Sequence, residues 1–440
     1  MTEASRRELR EWHHALTLDP LAAGDPRYVE LQDAGRGAVD EIMAEIELHF
    51  DATTQLLSGP SGSGKTTELL RLQHELERAG FRVVLLDATR YVNESAPISI
   101  TELLVAFGLG ASEKLHRPEH TKPAFGARLV ALLGRLNVSL DVGPLSASVS
   151  PDAVSVGALG ATLEVDIQRE LASSRPFVEE LRSKLSFHIG QLYDEVAAFV
   201  ADLIAQTEPE QESAGFVFLV DSLEKLRGTS EDDLEVQDSV QRLFVNHASR
   251  LKFTSHHTVY TVPTYLQLTT PGALPYDSRV HPVPVPHLTT RRGEIDAAAV
   301  EALAELREVV RRRLPVERIF AAEAALDEVI HASGGHLRDL FTLLRQLINL
   351  VLRLSVPLPV SGEHIEEAIG NVAHDFSQLT TQQERFLRAV AASDGSVRPE
   401  ESEVQRMALL LQSHMLLGHL NGTGDWYEVH PLARRALGLP

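Results

Sequence analysis

The stretch Gln55-Leu56-Leu57-Ser58-Gly59-Pro60-Ser61-Gly62-Ser63-Gly64-Lys65-Thr66-Thr67 constrains this chain more than any other, because an apolar run breaks there into a glycine-rich loop ending in Lys-Thr-Thr. The spacing is G-x-x-x-x-G-K-T, that of a phosphate-binding loop. Gly59, Gly62 and Gly64 carry no Cβ, so the backbone can take positive φ angles and turn its N–H groups toward an anion. Lys65 adds a mobile positive charge for β- and γ-phosphates and Thr66 a hydroxyl for Mg2+. The helix that begins there points its positive dipole end at the same place. Leu56-Leu57 reads as the buried strand before the loop, and Leu69, Leu72, Leu76 and Ala79 recur at helical spacing until Gly80. Strand, loop and helix follow in the order the motif requires. ATP with Mg2+ is therefore the expected ligand, cradled by residues Gly59 through Thr67.

A chain of 440 residues exceeds what one compact core uses, so two or three domains are expected around this nucleotide-binding module. The net charge of −21 argues against nonspecific gripping of nucleic acid, which draws on Lys and Arg to displace counterions. On that ground nucleic acid is not expected as a partner. Absence of cysteine excludes disulfides and zinc–thiolate sites. The N-terminus is charged, and no run approaches the ~18 apolar residues of a membrane span, so a cytoplasmic protein is expected.

Before the loop, Tyr28-Val29-Glu30-Leu31 leads through Gly35-Arg36-Gly37 into an amphipathic helix bearing Val39, Ile42, Ile46 and Phe50. After it, Phe81 to Asp87 predicts a second strand buried on both faces, parallel to the first, and Pro97 to Leu109 a helix. Roughly a hundred residues then pass before the next core strand, far beyond an ordinary connection. Within this insertion, about 110–212, Val138 to Val142 and Ala153 to Val165 alternate in a way consistent with a β-hairpin or a mobile flap. Arg175 to Ala205 predicts a helix with one long apolar stripe.

Phe216-Val217-Phe218-Leu219-Val220-Asp221 is the strongest strand signal, five apolar residues ending in an acid, and Ser222-Leu223-Glu224 follows it. A carboxylate at the C-terminal end of a strand in an open α/β sheet suits a metal-holding role for Asp221; capping of the strand is the plainer reading. His257 to Val262 predicts the next strand, with Thr261 late in it. Pro282, Pro284 and Pro286 stand at every second position of the following apolar stretch, removing N–H donors from one side, so that strand belongs at a sheet edge. From Leu288 the chain turns Ala-, Leu- and Arg-rich and reads as helices. Gly334-Gly335 there makes a sharp turn into a helix with Leu337, Leu340, Leu344 and Leu347. Arg338, a cation in the first turn, opposes the helix dipole and calls for another partner; solvent and Asp339 are alternatives left open. Near the C-terminus two helical segments precede strands flanking Asn421-Gly422, the arrangement of a winged helix. From Phe376 onward six arginines and no lysine face seven acidic residues, a balance of −1 that suits protein contact better than phosphate.

Taken together, these motifs resemble those of STAND and AAA+ ATPases. The resemblance implies an α/β fold with a parallel sheet of order 5-1-4-3-2, a helical lid and a C-terminal winged helix. The expected division is an N-terminal helical linker over 1–54, an ATPase core over 55–288, a lid over 289–375 and a winged helix over 376–440. By the same resemblance Tyr28 and Val29 lie against adenine, Asp221 is the Walker B acid and Thr261 stands at the sensor-1 position. Arg338 then reaches a γ-phosphate from the lid. Two departures stand out. Ser222 occupies the place of the usual catalytic Glu, leaving Glu224 as the water-orienting candidate beside Lys65; Asp221-Ser222-Leu223-Glu224 is similar to the STAND pattern Asp-Gly-Leu-Asp. No arginine finger can be assigned, although Arg250 and Arg279 fall in suitable regions. The reading reached is a slowly hydrolysing ATPase acting as a nucleotide-dependent switch that controls a protein partner or effector, with self-association left open. An initiator-like ATPase binding DNA through its winged helix is the alternative.

Overall fold

In a computed structural model the chain is described over 3–31, 37–117, 122–145, 157–207, 213–226, 233–270, 274–283, 285–290, 293–393, 400, 403–419 and 426–439. Its contacts divide it into two compact units, Met1–Glu41 with Ser58–Arg71 and Pro282–Pro440, and Ile42–Leu57 with Leu72–His281.

Helices α1 (Glu3–Ala15) and α2 (Ala38–Leu48) precede strand β1 (Thr54–Ser58), which leads through the glycine loop into α3 (Lys65–Arg78). Strand β2 (Arg82–Asp87) follows, and then five helices: α4 (Ile100–Leu115), α5 (Phe125–Arg135), α6 (Gly157–Ser173), α7 (Arg175–Leu185) and α8 (Ile189–Thr207). Next come β3 (Phe216–Asp221), α9 (Asp233–Asn246), β4 (His257–Val262), the short α10 (Tyr265–Thr269) and β5 (His281–Pro282). The remainder is α11 (Ala297–Arg311), α12 (Val316–Ile319), α13 (Glu323–Ala332), α14 (Leu337–Leu354), α15 (Gly362–Ala373), α16 (Thr381–Ala392), α17 (Val404–Gln412), β6 (Leu416–His419), β7 (Trp426–Val429) and α18 (Pro431–Ala436).

The sheet runs β2-β3-β4-β1-β5, which is the expected order 5-1-4-3-2 read from the other edge. β2 and β3 are parallel with Asp87 opposite Asp221, and β3 is parallel to β4. Every residue of β3 and of β4 is buried, as expected of central parallel strands, although β4 carries His257, Thr258 and Thr261 among its apolar residues. β5 pairs for only two residues, and just beyond it the Val283 N–H donates to the Ser58 carbonyl at 2.6 Å. The proline-spaced stretch is thus an edge, as expected, but much shorter than its apolar pattern suggests, because β1 ends at Ser58, opposite Val283, and gives way to the glycine loop. Pro284 lies outside the described residues.

Two readings of the insertion are corrected. No strand forms among its described residues: 138–142 is irregular, and the second stretch enters α6, where Leu163, Ile167 and Leu171 recur every fourth residue. Residues 153–156 lie outside the described set. Helical recurrence of large apolar residues outweighs a local period-two alternation of small ones. The stripe predicted from Arg175 to Ala205 is two helices, broken at Ser186-Phe187-His188, where the His188 N–H turns back to the Leu185 carbonyl at 2.8 Å and Phe187 is exposed. Phe125, Phe177 and Phe199 are fully buried in the apolar core that α4–α8 share with the sheet strands. Arg128 secures α5 to α8 through Glu195 (2.6 Å) and Asp202 (2.7 Å). In the lead-in helix Val39, Ile42 and Ile46 are buried, whereas Phe50 falls past the end of α2 and is exposed.

His256, just before β4, is sealed among Phe107, Phe218 and Phe253, with ring centroids 5.7, 4.4 and 4.9 Å away. Its Nδ1 meets the Ser255 hydroxyl at 3.0 Å, and its Nε2 has no partner among the described residues. Burial pushes the imidazole down to about 3, with His257 adding to the effect. The unfolded chain takes up this proton near pH 6.5 and the folded chain cannot until about pH 3, so acidification below 6.5 favours unfolding. At ~1.4 kcal/mol per pH unit, His256 alone costs about 2 kcal/mol between pH 6.5 and 5. His256→Phe is expected to remove that part of the acid sensitivity, read as urea midpoints at pH 7 and 5. An equal loss in variant and wild type would show that His256 does not carry it.

The C-terminal elements α16 and α17 followed by the antiparallel pair β6–β7 have the element order of a winged helix. Leu416 pairs with Val429 and His419 with Trp426, while the Asn421-Gly422 turn itself lies outside the described residues. α17 stops at Gln412, and Leu416 opens β6. Among the described residues no helix is long and apolar enough to cross a membrane.

Candidate functional site

Gly62 and Gly64 take φ of 91° and 102°, the left-handed conformations a side chain would resist, and α3 starts at Lys65. The Ser63 N–H closes the loop on the Pro60 carbonyl at 3.2 Å. Lys65 is 4% exposed, with Nζ folded back onto the carbonyls of Gly59 (2.8 Å) and Pro60 (2.9 Å). The Ser63 hydroxyl is buried and makes no hydrogen bond among the described residues. A buried ammonium, an orphaned hydroxyl and a helix N-terminus around one loop fit an anion of several oxygens.

The N-terminal segment lies on the first turns of α3. The Leu21 N–H donates to the Thr67 hydroxyl at 3.2 Å, and the Tyr28 hydroxyl donates to Glu68 Oε1 at 3.0 Å. Arg71 gathers Glu30 (2.8 Å), Asp40 (3.1 Å) and Glu68 (3.4 Å). Burial raises both the Tyr28 phenol and the Glu68 carboxyl. Val29 is half-buried, and Gly35 and Arg36 lie outside the described residues.

α14 meets the same loop at its N-terminus. Gly334 and Gly335 take φ of 60° and 80°, and a Cβ on Gly62 would stand 2.7 Å from both Cβ and Nε of Arg338. Arg338 therefore packs directly over the loop. His336 Nε2 hydrogen-bonds the Ser61 carbonyl at 2.9 Å. Asp339, one of the partners left open for Arg338, turns to histidines: His336 Nδ1 at 2.6 Å, His430 Nε2 at 3.2 Å and His414 Nδ1 at 3.9 Å from its Oδ2. Burial opposes ionisation of Asp339, but the imidazoles of His336 and His430 hold its carboxyl well below the usual range. Sequence reading missed this cluster. The i,i+3 pair His336/Asp339 was its single local signal, since His414 and His430 arrive from elsewhere in the chain.

On the strands, Asp221 ends β3 with Oδ1 accepting from the Ser222 N–H at 2.7 Å. Ser222 takes φ 74°, a left-handed conformation for which glycine, present there in the STAND pattern, is suited. A 3-10 turn over Leu223–Lys225 places Glu224, which is buried. The Thr261 hydroxyl accepts from the Leu223 N–H at 3.3 Å, so it anchors the turn that carries Glu224. In the sheet order β4 with Thr261 lies between β1 and β3. Of the residues considered for an arginine finger, Arg250 lays its guanidinium over the Tyr193 ring at 5.3 Å.

No protein-family model and no curated protein matches this chain. Among solved structures it is similar to a Walker-type ATPase of Pyrococcus abyssi, at 14% identity and a TM-score of 0.44, covering 97% of this chain and 100% of that one. It is also similar to the Aeropyrum pernix ORC1 protein in complex with DNA (11%, TM-score 0.39, covering 97% and 96%) and to the ADP form of the ORC2 protein of the same organism (11%, TM-score 0.40, covering 97% and 96%). The fold assignment rests on the strand order above and not on these likenesses. One expectation is nevertheless corrected: the net charge of −21 does not exclude nucleic acid as a partner, and one of these similar structures is itself a DNA complex. The physical reason lies in scale, because a net charge of −21 averages over the whole chain whereas DNA binding depends on the few cations that reach phosphates.

Proposed function

We propose that this chain binds Mg·ATP at residues Gly59–Thr67, hydrolyses it, and passes the state of the γ-phosphate to the N-terminus of α14. The observation that carries this reading is the packing of Arg338 and His336 onto Gly62 and Ser61 of the glycine loop. Lys65, already buried in that loop, would bind the β- and γ-phosphates, and Ser63 would contribute its hydroxyl. Thr66 and Asp221 offer a hydroxyl and a carboxylate, hard oxygen donors suited to Mg2+, and the ion would neutralise charge developing on the phosphates. Glu224 is assigned to orient the attacking water, and Tyr28 and Val29 to the base. The partner we place first for test is duplex DNA at the helices and strand pair of the C-terminus, the initiator-like form of the activity. The second reading is a switch that controls a protein partner, favoured by the −1 balance of the C-terminal segment.

A ligand shifts two states only by its differential affinity for them. Arg338→Ala is therefore expected to weaken ATP about tenfold or more, the scale of one charge-assisted contact, while ADP affinity stays within about threefold. Titration calorimetry with ADP and a non-hydrolysable ATP analogue measures both. Equal losses for the two nucleotides would remove Arg338 from any γ-phosphate role. Anisotropy of labelled duplex DNA across a salt series, with each nucleotide, separates the two partners: ATP-dependent, salt-sensitive binding supports the first and its absence the second.

A further inference from the structure

Three histidines and one aspartate share a buried pocket of polar atoms that nucleotide chemistry does not use. His336 stands immediately before α14, Asp339 in its first turn, His414 in the turn between α17 and β6, and His430 just before α18. All four are at least nine-tenths buried by exposure. The ligating atoms of His336, Asp339 and His414 lie within 4.8 Å of one another. Donors bound to one zinc-sized ion at about 2.1 Å sit roughly 3.4 Å apart, and the 2.6 Å and 3.9 Å separations to Asp339 Oδ2 bracket that spacing.

We propose that His336, Asp339 and His414 form a structural site for a Zn2+-class divalent transition metal. The tautomers favour it. His336 Nε2 faces the Ser61 carbonyl, which can only accept, so Nε2 carries a proton and Nδ1 is the nitrogen turned to the pocket. His430 is the outer partner: its Nδ1 accepts from the Leu432 N–H at 3.1 Å, leaving Nε2–H beside Asp339 Oδ2. A histidine that donates to a carbonyl from its far nitrogen and a carboxylate with a donor beside it are the usual outer arrangement of a metal site. His414 adopts φ 60°, a strained conformation that holds its ring 4.3 Å from the His336 ring. Two imidazoles with one carboxylate select Zn2+ and its neighbours over Mg2+ and Ca2+, which prefer all-oxygen sets. The ion would replace the proton between His336 Nδ1 and Asp339, releasing it to solvent. It would also tie the turn before β6 to the helix that touches Ser61.

The experiment uses the full chain. Protein freed of metal with a chelator and then dialysed against Zn2+ is expected to retain one equivalent by elemental analysis, to unfold at higher temperature than the metal-free form, and to show visible absorption when loaded with Co2+. His414→Ala leaves the His336–Asp339 hydrogen bond in place and is expected to weaken Zn2+ by about 100-fold or more. Mg2+ in place of Zn2+ is expected to do nothing at this site. Lys65→Ala is expected to retain Zn2+ fully, which separates this site from the nucleotide reading. Loss of stoichiometric Zn2+ from a folded wild type, or Zn2+ affinity unchanged in folded His414→Ala, overturns the proposal.

Discussion

Lys65→Ala is expected to abolish measurable ATP binding. Lys65 is buried, and its Nζ is already held at the mouth of the loop by the carbonyls of Gly59 and Pro60. Those carbonyls orient the ammonium, and in the proposed complex the phosphates of the nucleotide would meet it there. Removing one partner from a buried, hydrogen-bonded charge pair costs about 3–5 kcal/mol, or roughly 10²–10⁴-fold in affinity. Lys65→Arg is expected to fail as well, since a planar guanidinium cannot occupy the compact point between two carbonyls. Calorimetric titration at saturating Mg2+ reads the effect, with circular dichroism confirming that the variants fold. Wild-type affinity in Lys65→Ala would refute the nucleotide assignment, whatever the loop's sequence.

The second large effect is on stability, at Gly335. Its φ of 80° already disfavours any side chain, and a Cβ there would stand 2.3 Å from the Pro286 carbonyl oxygen. That contact is with backbone, so no side-chain rotation relieves it. Strained φ costs on the order of 1–3 kcal/mol, and a backbone collision adds to it, so Gly335→Ala is expected to destabilise by about 3–5 kcal/mol. Gly362→Ala is the matched control, because Gly362 opens α15 with nothing within 4 Å of a new Cβ. It should change stability by less than about 0.5 kcal/mol. Urea unfolding of both variants makes the comparison, and a similar midpoint for the two would mean that the turn before α14 can relax.

Much of the sheet was legible in the sequence. β3 begins and ends where its apolar run does, with an acid closing it, and β4 was readable from its β-branched and aromatic residues up to Pro263, its polar His257, Thr258 and Thr261 notwithstanding. The edge place of β5 was equally readable, because a missing N–H is a local fact, although its two-residue length was not. In the insertion local patterns misled: 138–142 and the start of α6 alternate by chance of small residues, and the break between α7 and α8 has no glycine or proline to announce it. At the glycine loop the readable part was each residue's chemistry. Unreadable was the company it keeps, namely that His336 would bond Ser61 and that Asp339 would gather, besides the local His336, two imidazoles from distant segments. Such contacts depend on how helices pack, which no window of sequence encodes. Ser222 is an intermediate case, since its glycine-like φ follows from the turn after β3 and not from any preference of serine.

The two-residue β5 has a consequence for the chain before and outside its folded state. Val280, His281, Pro282, Val283, Pro284, Val285 and Pro286 form a stretch whose valines would otherwise make a good cross-β template, poor in charge and rich in β-branched residues. Prolines at alternate positions deny such a template its donors, as gatekeepers do in aggregation-prone segments. The sheet margin beside β1, which joins segments far apart in the sequence, therefore carries its own protection against self-association.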